Sequence, residues 1–241
     1  MLMMRGTDFE FRNRVWIFTL IFGLPFFSLI VDHTPIGSRL ADWLAAAVPM
    51  EEIYALHIVF GVAALIMFVA VLIRIWGSAY LSREVVHDHA VHSELLHADG
   101  PYRHVRNPLY LGNLLMAWAM SFFLPIMGWP IVVIGIPFFC YRLIGREEAA
   151  LAAEQGESYR AFMKAVPRLW PSIRARIPAG GSKPDWISGL AAEAFFMSFA
   201  LGITAFAIFI DPPWFYAGLV ASPLLSWLAD LATRKHRKAS S

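Results

Sequence analysis

Apolar residues in this chain come in long blocks, and polar residues are gathered between them. Leu56 to Ile73 reads LHIVFGVAALIMFVAVLI, eighteen residues without a formal charge. A run of that length and purity predicts a membrane-spanning helix. Blocks of the same character cover roughly 15–31, 54–73, 109–124, 129–145, 188–210 and 213–232. The third and fourth are shorter than the roughly 20 residues of a full span. LPIMGWP joins them, with Pro125, Gly128 and Pro130 as turn formers, and DPP at 211–213 joins the last two. The pattern predicts an all-α fold, a polytopic transmembrane helical bundle of about six membrane segments in a single membrane domain, 1–241.

Composition agrees with the pattern. Hydrophobic residues make up 58% of the chain and charged residues 16%, against roughly 25% charged in soluble domains. The net charge of +2 says less than where the charges lie. Arg5, Arg12 and Arg14 precede the first block, while 32–53 holds Asp32, Asp42, Glu51 and Glu52 against Arg39. Basic residues return in 74–108, in 146–187 and in the tail TRKHRK. Lysine and arginine mark the cytoplasmic side, so the expected topology has six crossings with both termini cytoplasmic. No small-residue cleavage site follows the first block, which is expected to stay as a span. The lone Cys140 cannot form an intramolecular disulfide and is read as packing. The basic tail is short and terminal, and attraction to anionic lipid explains it without nucleic acid.

Segment 146–165, REEAALAAEQGESYRAFMKA, mixes both charge signs over an alanine background. It reads as a cytoplasmic or interfacial helix extending the fourth span, broken near Gly156, with Leu151, Tyr159, Phe162 and Met163 as its inner stripe. VPRLWPS ends it, and RARIPAGGSKPDWI at 174–187 reads as a loop.

Three polar clusters invite chemistry. His87, Asp88, His89, His92, His97 and His104 crowd one stretch, but their spacing fits no strict metal signature and no cysteine is near. They read as an interfacial loop, with no metal site expected. The second cluster is GPYRHVRNPLYLG, Gly100 to Gly112. Pro108 suits the first turn of a helix, Asn107 can cap it, and the free N–H groups there favour an anion. Arg103 and His104 are read as interfacial dressing, since arginine at a membrane edge ordinarily snorkels. The third cluster is Arg142, Arg146, Glu147 and Glu148. One reading is a surface rung of ion pairs; the sharper one turns a glutamate inward against Arg106. The hairpin 109–145 brings Arg106 and Glu147 to the same side, where a pocket could form between the second and third clusters.

Taken together, GPYRHVRNPLYLG and REEAALAAEQGESYRAFMKAVPRLWP resemble the integral membrane methyltransferases of the isoprenylcysteine carboxyl methyltransferase and phospholipid N-methyltransferase group. Gly100, Tyr102, Arg106, Asn107, Pro108, Tyr110 and Gly112 carry the first part of the likeness. Glu147, Glu148, Leu151, Gly156, Tyr159, Phe162, Val166 and Pro167 carry the second. It covers residues 95–172 and departs from the family at Asn107, where histidine is common, and at Glu94, where family members often have a histidine. The hairpin 188–232 lies outside it.

The resemblance implies S-adenosyl-L-methionine as cofactor, a catalytic edge on the cytoplasmic face, and a membrane lipid or lipidated small molecule as acceptor. It implies Arg106, Glu147 and Glu148 as catalytic residues. It places Gly100, Tyr102, His97, Asn107, Pro108, Tyr110 and Glu148 around the cofactor, with Tyr102 facing the glutamates and the start of the third span holding the cofactor carboxylate. A phospholipid amine is the expected acceptor. Carboxyl methylation of a prenylated cysteine is the alternative, and a sterol or enoyl reductase using NADPH is the competing activity. An oligomer is compatible with the sequence.

Overall fold

The structure, a computed structural model, describes residues 5–87 and 98–239, with side chains placed up to residue 81 in the first segment and 232 in the second. The regular elements of the described residues are all helical. In chain order they are α1 (Asp8–Arg12), α2 (Arg14–Gly23), a 3-10 stretch (Leu24–Ile30), α3 (Ile36–Ala47) and α4 (Glu52–His87). A 3-10 turn (Gly100–Arg103), α5 (Pro108–Ser121), α6 (Trp129–Ala165), α7 (Trp186–Ala192), α8 (Ala194–Phe209) and α9 (Pro212–Ala239) follow.

Among the described residues, three helices are long and apolar enough to cross a membrane: Glu52–Leu81 of α4, Trp129–Ala165, and Pro212–Ala232 of α9. The bent pair α7 and α8, turned by 65° at its break, makes a fourth if it is one span. The first apolar block is not one regular helix. Pro25 has no N–H to continue the α-helical ladder, and the chain tightens into the 3-10 stretch from Leu24.

α4 is the hub, packed against α3, α5, α7 and α8. Its 36 residues extend about 54 Å at 1.5 Å per residue, well beyond a hydrocarbon core of about 30 Å. Its apolar face joins Phe60, Met67 and Val71 to Met116 and Phe123 of the α5 region and to Phe199, Ile203 and Phe215 of the C-terminal hairpin. The Phe60 ring lies edge-on to Phe206 at 4.9 Å and tilted to Phe123 at 5.1 Å. A second cluster joins Ala117, Leu124, Val132, Ile136 and Cys140, with Phe18 and Ile21 of α2 against it. Cys140 is thus core packing. Leu65, Leu201 and Val220 face outward, as lipid-facing residues do.

The acidic stretch 32–53, which lies between the first two apolar blocks, contains α3. The Ile36 and Gly37 N–H groups donate to the carbonyls of Leu124 and Phe122 at 2.8 and 2.9 Å. A Cβ on Gly37 would stand 2.7 Å from the Phe60 ring, so this contact admits only glycine. On the other side, α6 continues beyond the apolar block. Its backbone breaks at Gly156, with φ 61° and ψ −130°, where the sequence places the break. Beyond it Tyr159 and Phe162 pack with Ala98 and Val166, and Leu151 and Met163 flank them.

Candidate functional site

The chain around GPYRHVR folds back on the end of the second motif. The Arg106 N–H donates to the Pro167 carbonyl, the Ser172 N–H to His104, and the Arg176 N–H to Arg103, each at 2.9 Å. Side chains reinforce this backbone pairing. Arg103 Nε donates to the Ile177 carbonyl at 3.0 Å, and His104 Nδ1 lies 2.8 Å from the Ser172 carbonyl. Arg103 and His104 are therefore not interfacial dressing. They clamp the exit of α6 onto the loop before α5.

Gly100 is fixed by its surroundings. Its φ is +55°, and an added Cβ would meet the Tyr80 ring at 2.4 Å. Next to it Asp99 is buried at 4% exposure. Its two oxygens accept from the Gly180 and Ser182 N–H groups, each at 2.7 Å. Burial pushes the Asp99 carboxyl up, but the Ser182 and Gly180 donors outweigh it and hold the group below its ordinary value. Tyr102, expected to face the glutamates, instead aims its hydroxyl at the Gly77 carbonyl, 3.5 Å away on α4. Pro108 is buried in the first turn of α5, beside Gly77, where a Cβ would come within 3.3 Å of its ring.

The centre of the site is Glu148, 3% exposed. Its Oε1 lies 3.4 Å from an Arg106 nitrogen and accepts from Asn107 Nδ2 at 3.3 Å; its Oε2 accepts from Arg168. The sharper reading of the glutamate pair describes this geometry. Asn107 departs from expectation, because its side chain makes no cap bond to α5. Its amide is drawn instead to the buried carboxylate and to the Arg168 carbonyl at 3.1 Å, since a charged acceptor binds a donor more strongly than a neutral one.

Glu147 points elsewhere. Its Oε1 accepts from the Tyr110 hydroxyl at 2.8 Å. One step along α6 thus separates a carboxylate held by two guanidiniums from one held by a phenol. Arg142 and Arg146 do not form a rung with these glutamates. Arg142 pairs with Glu10 at 2.8 Å and Arg146 with Asp8, tying α1 to the base of α6.

Two guanidiniums share Glu148, so the trio retains net positive charge. Burial pulls the Arg106 guanidinium below its ordinary value, Glu148 opposes the fall, and Arg168 adds to it. Its side chain is 9% exposed, and its Nε is a buried donor with no hydrogen-bond partner. Such orphaned donors are rare in folded proteins and call for a ligand or water oxygen. Sequence reasoning missed Arg168 as a partner, although it lies inside the quoted VPRLWP. It also missed Asp99. Of the expected cofactor residues, His97 lies outside the described residues, as does most of the histidine cluster.

Comparison with protein-family models, with curated proteins and with solved structures returned no match.

Proposed function

We propose that the chain is an S-adenosyl-L-methionine-dependent methyltransferase acting on a membrane lipid, with a phospholipid amine as acceptor. The observation that carries this reading is the buried Arg106 guanidinium. It is shared with Glu148 and Arg168, keeps an orphaned Nε, and stands where the two family-like motifs meet. The donor set suits the cofactor. Its carboxylate is an oxygen acceptor for Arg106 Nε, and the N-terminus of α5 adds a favourable dipole. In this reading Tyr102, Asn107, Pro108 and Tyr110 form the surrounding wall, and Gly100 lets the Tyr80 ring close against the backbone behind it.

When bound, the cofactor supplies an electrophilic methyl group. The chain's own residues then have separable tasks. Arg106 orients the anionic end of the cofactor and is itself held by Glu148. Burial of Arg106 and Glu148 makes the positioning electrostatics stronger than they would be in solvent, with the half-exposed Arg168 at the edge. Glu147 hydrogen-bonds only a neutral phenol at close range, so it is better able than Glu148 to take a proton from an ammonium acceptor. In this reading the helices make six membrane segments, the site lies at the cytoplasmic edge, and both termini are cytoplasmic. A water-soluble donor reaches such a site from the cytosol and a lipid from the bilayer.

Parallel titrations of the purified protein in nanodiscs with S-adenosyl-L-methionine and with NADPH test the cofactor. Binding of the first and not the second is expected. The reverse would establish the reductase alternative. Methyl label in a base-labile ester would favour a carboxylate acceptor, such as a prenylated cysteine, over the amine.

A further inference from the structure

A second buried polar cluster lies one turn of α4 below the candidate site. Arg74 sends Nε to Glu193 Oε2 at 2.6 Å and Nη2 to Glu193 Oε1 at 3.2 Å. Its Nη1 reaches in the other direction, to Asn113 Oδ1 at 2.6 Å and the Leu109 carbonyl at 3.2 Å. Ser78, on the same face of α4, donates to Glu193 Oε1 at 2.6 Å. The Arg74 guanidinium also covers the Phe196 ring, 4.4 Å from its centroid.

Each end of this fork grips a different structural unit. Glu193, 2% exposed, is the residue at the break between α7 and α8. Leu109 and Asn113 belong to the first turns of α5, the turns that carry Asn107, Pro108 and Tyr110. The surroundings leave little slack. A Cβ on Gly112 would stand 2.3 Å from Arg74 Cγ, and one on Gly189 of α7 would stand 2.9 Å from the Ala79 backbone. A charged pair at this depth in a bundle is costly unless paired and marks a functional position.

We propose that Arg74 is a positioning residue that sets the N-terminal turns of α5 in register, with Glu193 as its counter-charge. The C-terminal hairpin thereby becomes part of the framework of the candidate site. The consequence for cofactor affinity rests on the methyl-donor reading of that site, while the positioning itself does not. A guanidinium reaches Glu193 and Asn113 with donors on different edges of its planar fork, whereas an ammonium is a compact point charge without that spread.

Arg74→Lys separates the two roles of the side chain, since lysine satisfies the counter-charge and loses the fork. Hydrogen exchange and melting are measured on the full chain in nanodiscs, with S-adenosylhomocysteine as the binding probe. Amides of 109–116 should exchange at least roughly tenfold faster, with those of α8 unchanged, as expected for local opening. The melting temperature should stay within about 4 °C, and the probe should bind at least roughly tenfold more weakly, the scale of about 1.4 kcal/mol. Unchanged exchange in 109–116 overturns the proposal, whatever the probe does. Faster exchange together with a wild type that binds no probe upholds the positioning and refutes the methyl-donor reading. If Arg74→Lys does not fold, Asn113→Leu removes the shorter of the two α5 contacts and leaves the Leu109 carbonyl and Glu193 in place. The same local acceleration then supports the proposal and its absence overturns it.

Discussion

Arg106 stands 3.4 Å from Glu148 Oε1, with Arg168 on the other oxygen of the same carboxylate. Removing the shared carboxylate leaves two buried or half-buried cations facing each other. Glu148→Ala should therefore destabilise the fold by about 3 kcal/mol, the scale for stripping one partner from a buried pair. Thermal melting in detergent checks this. Glu148→Gln keeps an acceptor and should lose less stability, yet still lose donor binding.

Two glycines should fail for different reasons. Gly100→Ala meets both a left-handed backbone and the Tyr80 ring at 2.4 Å, whereas Gly156→Ala has open space and only the backbone conformation to resist it. A left-handed conformation costs a non-glycine residue about 1–2 kcal/mol at Gly100, and the φ 61°, ψ −130° of Gly156 belongs to a glycine region that costs other residues about 1–3 kcal/mol. Gly156→Ala should lower the melting temperature by its conformational cost alone, and Gly100→Ala by its conformational and steric costs together. Tyr80→Ala should recover only the steric share of the Gly100→Ala loss.

The attachment of α1 should depend on pH. The hydrogen bond from Arg142 is the main reason the Glu10 carboxyl is lowered to about 2. A carboxyl lowered on folding stabilises the folded state above its unfolded value of 4.5, and this contribution is lost as pH falls through about 2. The protection of the α1 amides, exchange measured against the intrinsic rate at each pH, should fall as pH drops through that window and stay flat above it. Glu10→Gln should lower the protection at neutral pH and abolish its acid dependence.

Much of this arrangement is legible along the chain because it has local signals. Proline and glycine mark the α5–α6 turn, Gly156 interrupts a helical pattern, and Asn107-Pro108 marks a helix start. The pairing of Arg106 with Glu148 follows from the hairpin that separates them. The hidden contacts share a different property. Asp8 and Glu10 find Arg146 and Arg142, Glu193 finds Arg74, and Asp99 finds Gly180 and Ser182 across long stretches of sequence. A charge gives no periodic sign of its distant partner, so Arg142 and Arg146 looked like a surface rung. The Asn107 side chain misled for a related reason: capping is a local rule, and a buried carboxylate from another helix overrode it.

Asp99 should anchor the loop before α7. Asp99→Asn turns one acceptor into a donor facing an N–H, a loss of about 1–3 kcal/mol for a buried bond. Limited trypsin digestion should cut faster after Arg174 and Arg176, with digestion after Arg39 unchanged.

The decisive measurement is transfer of radiolabelled methyl from S-adenosyl-L-methionine in nanodiscs containing phosphatidylethanolamine. Labelled lipid should accumulate with the wild type, vanish with Arg106→Ala, and persist at reduced rate with Glu147→Gln, with the optimum moved to higher pH. A folded wild type that binds neither the donor nor its demethylated product, and labels no lipid, would contradict methyl transfer.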